Sequence, residues 1–236
     1  MWKEIVKVQL VNKLALLLLL LVIPAYVYGQ ARNERPMYGG IPPNKVEAEA
    51  DQKLIDWTIE KFGSREKGAE NAIRLGFKYL ANGDWSTAMK RFNQAWLLNG
   101  ETAETHWGWG AALSYQGAFS ESEKYFVKAR ELDGKNARLL TDFGFLYQFW
   151  ATKGDVDKQQ KAAYLDKSIA LFEEAIQLDA TFDRPHFDWA VSLYFKKDYA
   201  GAWQQIFQAE KLGGQSIEQK FVKDLTKKMP RPANGN

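Results

Sequence analysis

The chain has only two histidines, and they are the first residues whose chemistry needs weighing. It has no cysteine, so a thiol nucleophile and a cysteine-based zinc site are both excluded. His106 opens the stretch HWGWGA (106–111), and His186 opens HFDWA (186–190). A histidine can act as a general base, a proton shuttle or a metal ligand. A metal would need further ligands, yet neither HxxxH nor HExxH occurs, and His186-x-Asp188 is a weak signal. The triplet Gly108-Trp109-Gly110 is too short for a phosphate loop and lacks the lysine of such loops. Glu173 and Glu174 are adjacent, so on a helix they point apart and cannot work as an acid–base pair. No Ser-His-Asp arrangement is supported. The sequence therefore predicts no catalytic residue, no metal and no cofactor, and the histidines are read as packing residues.

Spacing is the reason for that reading. Gly76, Gly83, Phe92, Ala95 and Gly100 recur at an offset of 34 as Gly110, Gly117, Phe126, Ala129 and Gly134. One further step of the same offset takes Gly110 to Gly144. Phe126 and Phe172 are 46 apart, so the third unit carries an insertion, and Ala175 and Ala209 are again 34 apart. This ruler divides 69–216 into four units: 69–102, 103–136, 137–182 with the insertion near 151–163, and 183–216. His106 and His186 fill one slot, in the second and fourth units.

The first unit reads LGFKY (75–79), then AMKRF (88–92), Ala95 and a turn residue at Gly100. This period and pattern resemble the tetratricopeptide repeat, and the resemblance covers 69–216. Two slots depart from the family. The opening tryptophan is replaced by Ala72, His106, Leu140 and His186, and the closing proline by Gly100, Gly134, Ala180 and Gly214. The expected fold is an all-α tetratricopeptide (TPR) helical-hairpin solenoid of about four repeats with flanking capping helices, since one hairpin cannot bury its apolar stripe alone.

The elements follow from the same ruler. His106, Trp109, Gly110 and Leu113 lie on one face of a first helix, and Ser122, Phe126 and Ala129 on one face of its partner. Asp84 and Asp198 stand where second helices would be capped. Asp157 with Gln160 makes a capping box, so part of the insertion should lengthen the second helix of the third unit. An N-terminal helix (46–63) places Leu54, Ile55, Ile59 and Phe62 on one side. A final helix (217–229) offers Ile217, Phe221 and Leu225 as a cap, and 230–236 is a tail.

Residues 1–31 have the layout of a signal peptide. Lys3, Lys7 and Lys13 precede the apolar run 14–23, which ends at Pro24, and small residues suit a cut after Gly29 or Ala31. The run is shorter than the ~18–20 residues of a spanning helix. An uncleaved anchor through Tyr28 is the alternative. The expected location is periplasmic or secreted, or membrane-anchored by residues 14–28. Residues 32–45, with three prolines and two adjacent glycines, read as an irregular linker. The net charge is +3, and nothing in its distribution points to nucleic acid.

In tetratricopeptide proteins the inner wall is lined by first-helix residues beside the core stripe. By resemblance these are Ile73, Phe77 and Leu80; Trp107, Ala111, Ser114 and Tyr115; Thr141, Phe145, Gln148 and Phe149; and Phe187, Val191, Tyr194 and Phe195. Family members that grip a C-terminal carboxylate use lysine, arginine and asparagine there, and these slots hold none. The expected function is a non-catalytic interaction or scaffold module of the cell envelope. It would bind an apolar or amphipathic segment of a protein partner in an aromatic groove. The alternatives are a small-ligand-binding regulatory subunit, self-association, or a groove filled by the helix at 46–62.

Overall fold

The structure, a computed structural model, describes residues 32–233. The signal-peptide reading of 1–31 therefore lies outside the described residues, as does the end of the tail, 234–236. The described residues form ten α-helices. A lone helix, α1 (Lys45–Phe62), precedes four hairpins. These are α2 (Arg65–Ala81) with α3 (Trp85–Asn99), and α4 (Ala103–Tyr115) with α5 (Phe119–Leu132). Next come α6 (Ala137–Lys153) with α7 (Lys158–Leu178), and α8 (Arg184–Lys196) with α9 (Tyr199–Lys211). The helix α10 (Gln219–Lys228) closes the array. The first and second helices of each hairpin are its A and B helices.

Local chemistry sets the boundaries. Asp84 accepts from the Thr87 amide, Asp198 from the Gly201 amide and Asp157 from the Gln160 amide, each replacing a hydrogen bond the helix start lacks. Gly83 and Gly117, at φ 76° and 79°, turn the chain between A and B helices. The insertion is shared, not confined to the B helix: α6 has 17 residues against 13 in α4, and α7 has 21 against 14 in α5.

One contact recurs through the array. A B-helix phenylalanine lies where an A-helix glycine has no side chain. A Cβ on Gly76 would sit 2.5 Å from the Phe92 ring, one on Gly110 2.8 Å from Phe126, and one on Gly144 2.5 Å from Phe172. Gly108, on the next hairpin, also faces Phe92, so that ring is held between two glycines of different units. All three rings are essentially fully buried, each worth about 2–3 kcal/mol of burial. In the fourth hairpin the slots hold Ala190 and Ile206, both at 0% exposure. A methyl is added on one side and ring volume removed on the other.

The N-terminal region differs from expectation twice. In α1, Thr58 is the buried residue, with its methyl against Gly68, and Ile55 joins Ala69, Ala72, Ala95 and Leu98. Ile59 is 43% exposed and does not share that face. Residues 32–40 are a docked strap, not a loose linker. They form two 3-10 turns, Arg32–Glu34 and Pro36–Gly40. Buried Asn93 donates its amide to Asn33 O (2.9 Å) and Arg35 O (2.8 Å) and accepts from Trp109 Nε1 (3.1 Å). Glu34 meets Lys90 (2.9 Å) and Ser86 (2.8 Å), Pro36 is buried, and Met37 packs on the core. Met37 and Tyr38 hold φ of 50° and 56°, an uncommon conformation that costs of order 1 kcal/mol each and that the docking offsets.

Gly144→Ala should cost about 1–3 kcal/mol by overpacking and lower the melting temperature by several degrees. Phe172→Ile should also destabilise. The double variant recreates the fourth hairpin's pairing, so its loss in a melting experiment should fall short of the sum by about 1 kcal/mol or more. Strict additivity would mean that the two residues do not oppose each other.

Candidate functional site

The A helices α2, α4, α6 and α8 present one face with a dense aromatic lining. Phe77 and Trp107 have ring centroids 4.5 Å apart. Tyr115 lies 5.9 Å from Phe145 and 6.2 Å from Phe149, and Phe145 stacks on Phe149 at 5.7 Å. A cavity of about 180 Å³ opens between these groups, lined by Phe77, Leu80, Ala111, Tyr115 and Phe145. No residue of α1 lines it, so the helix at 46–62 packs on the first hairpin and does not fill this space.

The remaining sequence-predicted residues fall elsewhere. Ile73 is partly buried against the small cluster at the α1 end. Thr141 is fully buried and donates to Ala137 O. Buried Gln148 donates to Asp188 O (2.6 Å) and Ser192 Oγ (2.8 Å), so it ties α6 to α8. Ser114 is buried and donates to Ala111 O, although it still borders the cavity. Phe187 is 6% exposed, and its ring meets Phe221 of α10 at 5.6 Å. Tyr194 also contacts Phe221, at 5.5 Å, and Val191 packs in the same cluster. The closing helix thus covers the fourth-unit part of the face, and of that set Phe195 stays exposed. The aromatic part of the candidate site narrows to the first three hairpins.

Two groups of residues were not expected there. The first is a polar centre of Asp142, Arg184 and Asp188. Arg184 Nη2 lies 2.9 Å from Asp142 Oδ1, and Trp107 Nε1 donates to Asp142 Oδ2 at 2.8 Å. Asp142 and Arg184 both line the cavity. Arg184 Nε is 3.3 Å from Asp188 Oδ2, but that buried oxygen receives no hydrogen bond. Burial pushes the Asp188 carboxyl up to about 7, against the lowering pull of Arg184. Arg184 and Asp188 sit at i and i+4 on α8, a pairing that is visible in the sequence. The second group is the first residue of successive B helices. Trp85 stacks on Tyr115 at 5.7 Å, and Phe119 meets Phe149 at 5.6 Å and Trp150 at 5.8 Å. Trp85 and Phe119 are one repeat apart, 85 to 119, so the repeat ruler contained them.

The two histidines lie in separate contacts. His106 is 3% exposed, donates from Nδ1 to Thr102 O at 2.9 Å and meets Trp109 edge-on. His186 Nδ1 pairs with Gln205 Oε1 of α9 at 2.7 Å. Among the described residues, no cluster of three potential metal-ligating side chains occurs.

The helical hairpins, their period and their stacking are those of a tetratricopeptide solenoid. Among solved structures, the chain is similar to TTC0263, a thermophilic TPR protein of Thermus thermophilus. That match has a TM-score of 0.62 and 15% identity over 69% of this chain and 84% of that one. It is also similar to YrrB, a TPR protein with an unusual peptide-binding site, at TM-score 0.50 and 16% identity over 75% and 85% of the two chains. These likenesses are of fold. No protein-family model and no curated protein sequence matches the chain.

The polar centre carries a pH signature. An unfolded aspartate titrates near ~3.9, and Asp188 in the fold near about 7. Between those values the unfolded chain has released a proton that the folded chain keeps. Folding stability attributable to Asp188 therefore falls as pH rises from about 4 to about 7 and is level above, a change on the order of a few kcal/mol. Asp188→Asn should remove this dependence, so its melting temperature should gain on the wild type across that window. Parallel melting curves would show that Asp188 titrates normally.

Proposed function

We propose that this chain is a non-catalytic scaffold of the cell envelope that holds an apolar or amphipathic segment of a protein partner on its A-helix face. One observation carries the reading: closely packed rings from three hairpins flank an open cavity whose lining cation, Arg184, is already paired with Asp142. Aromatic rings bury large areas with little loss of rotamer freedom, which suits them to gripping a partner. Because Asp142 neutralises Arg184, the face favours apolar side chains over a free carboxylate. Asp142, held by Trp107 and Arg184, can orient a polar group of the bound segment.

The test is selection of displayed peptides on the purified chain, followed by titration of the selected peptides. Tyr115→Ala and Phe145→Ala should each weaken binding by about tenfold or more, with helical circular dichroism retained. Peptides that bind these variants as tightly as the wild type would remove the groove from the proposal.

The envelope assignment rests on the N-terminal sequence pattern. N-terminal sequencing of the protein recovered from the envelope should begin at Gln30 or Arg32. An intact Met1 in the membrane fraction would favour the anchor instead.

A further inference from the structure

The opposite side of the array, where the B helices lie, holds two clefts that are repeat equivalents of each other. The first lies between α3 and α5, and the strap at 32–40 occupies it. Its walls include Asn93, which grips the strap, and Leu113 and Tyr125, which border it. The second lies between α5 and α7 and measures about 570 Å³. Its lining includes Val127, Tyr147 and Leu171. Val127 and Tyr147 follow Asn93 and Leu113 at the offset of 34, and Leu171 follows Tyr125 at 46, the period of the unit with the insertion. The floor continues the correspondence, with Phe143 in the slot of Trp109. The two clefts share α5 as a common wall, one on each flank.

The molecule therefore displays, in its first cleft, the kind of ligand that such a cleft takes: a segment of two tight 3-10 turns with Pro36 buried and Met37 packed on the core. The strap is also anchored by charge, through Glu34 on Lys90 and Ser86. Those two slots on the next B helix hold Lys124 and Ser120, so the same anchor is repeated. Both are exposed, and Lys124 has no ion pair among the described residues. Val127, at 43% exposure, replaces the amide of Asn93 with an apolar contact. On the rim Arg130 is paired with Glu174 and Lys167 with Glu123, so the cation left to meet an acid here is Lys124.

We propose that the α5–α7 cleft is a second docking site, for a turn-forming partner segment built like the strap: an acidic residue followed within about three positions by an apolar pair such as Pro-Met. The acid pairs with Lys124, and the apolar pair lies over Val127, Tyr147 and Leu171. This site is separate from the A-helix groove and does not depend on it.

The probe is a fluorescein-labelled synthetic peptide with the strap sequence RNERPMYGG, titrated against the full chain by anisotropy. Saturable binding is expected. Val127→Glu and Ala170→Glu, both at exposed positions of the cleft lining, should each weaken it by about tenfold or more with circular dichroism unchanged. A peptide with lysine in place of its glutamate should bind poorly to the wild type and recover on Lys124→Glu. Tyr115→Ala, in the A-helix groove, should leave the affinity unchanged, which separates this site from that one. Absence of saturable binding overturns the proposal. So does affinity unmoved by both cleft variants, failure of the charge exchange, or loss caused by Tyr115→Ala alone.

Discussion

A ring without a side chain opposite it is the contact from which the rest of this structure follows. Phe92, Phe126 and Phe172 each occupy space that an A-helix glycine leaves empty, and this close approach sets the spacing of the paired helices. Phe92 also touches Gly108 of the next unit, so the same ring joins hairpins to each other. Protein interiors are packed too densely to absorb a misplaced methyl without strain. The two sides of the contact must change together, as Ala190 and Ile206 do in the fourth hairpin.

Fixing the hairpins in this way sorts the remaining aromatics. Residues that point along the packing axis, such as Trp109 and His106, become core. Those one position away, such as Trp107, reach the A-helix face and meet rings from neighbouring units. There they surround an ion-paired centre whose members come from α6 and α8. Asp188 is the strained member: it is buried, and its Oδ2 lacks a hydrogen-bond donor. The link between α6 and α8 is the Asp142–Arg184 ion pair, and drawing the helices apart would leave both charges without that partner.

The B-helix side is organised by a different constraint. Where the strap's carbonyls are buried against the helices they need donors. Asn93 supplies them, because its amide gives two hydrogen bonds while its oxygen accepts one from Trp109. Core and strap are thereby coupled through one fully buried side chain.

The sequence alone determined the repeat, its register, the insertion and the identity of the packing slots, because one physical contact recurring at a fixed spacing leaves a periodic trace. It also determined the caps at Asp84, Asp157 and Asp198, whose bonds are local. Only the tertiary structure decided which wall residues remain open. Phe187 and Tyr194 share helical slots with groove residues but are covered by α10, a contact with no period to announce it. The polar centre joins positions far apart in the chain, Asp142 and Arg184, and only half of it, the Arg184–Asp188 pair, is local enough to read. The strap was invisible for the same reason. Its composition is that of a loop, and what orders it is distant in sequence, with Asn93 and Asn33 separated by 60.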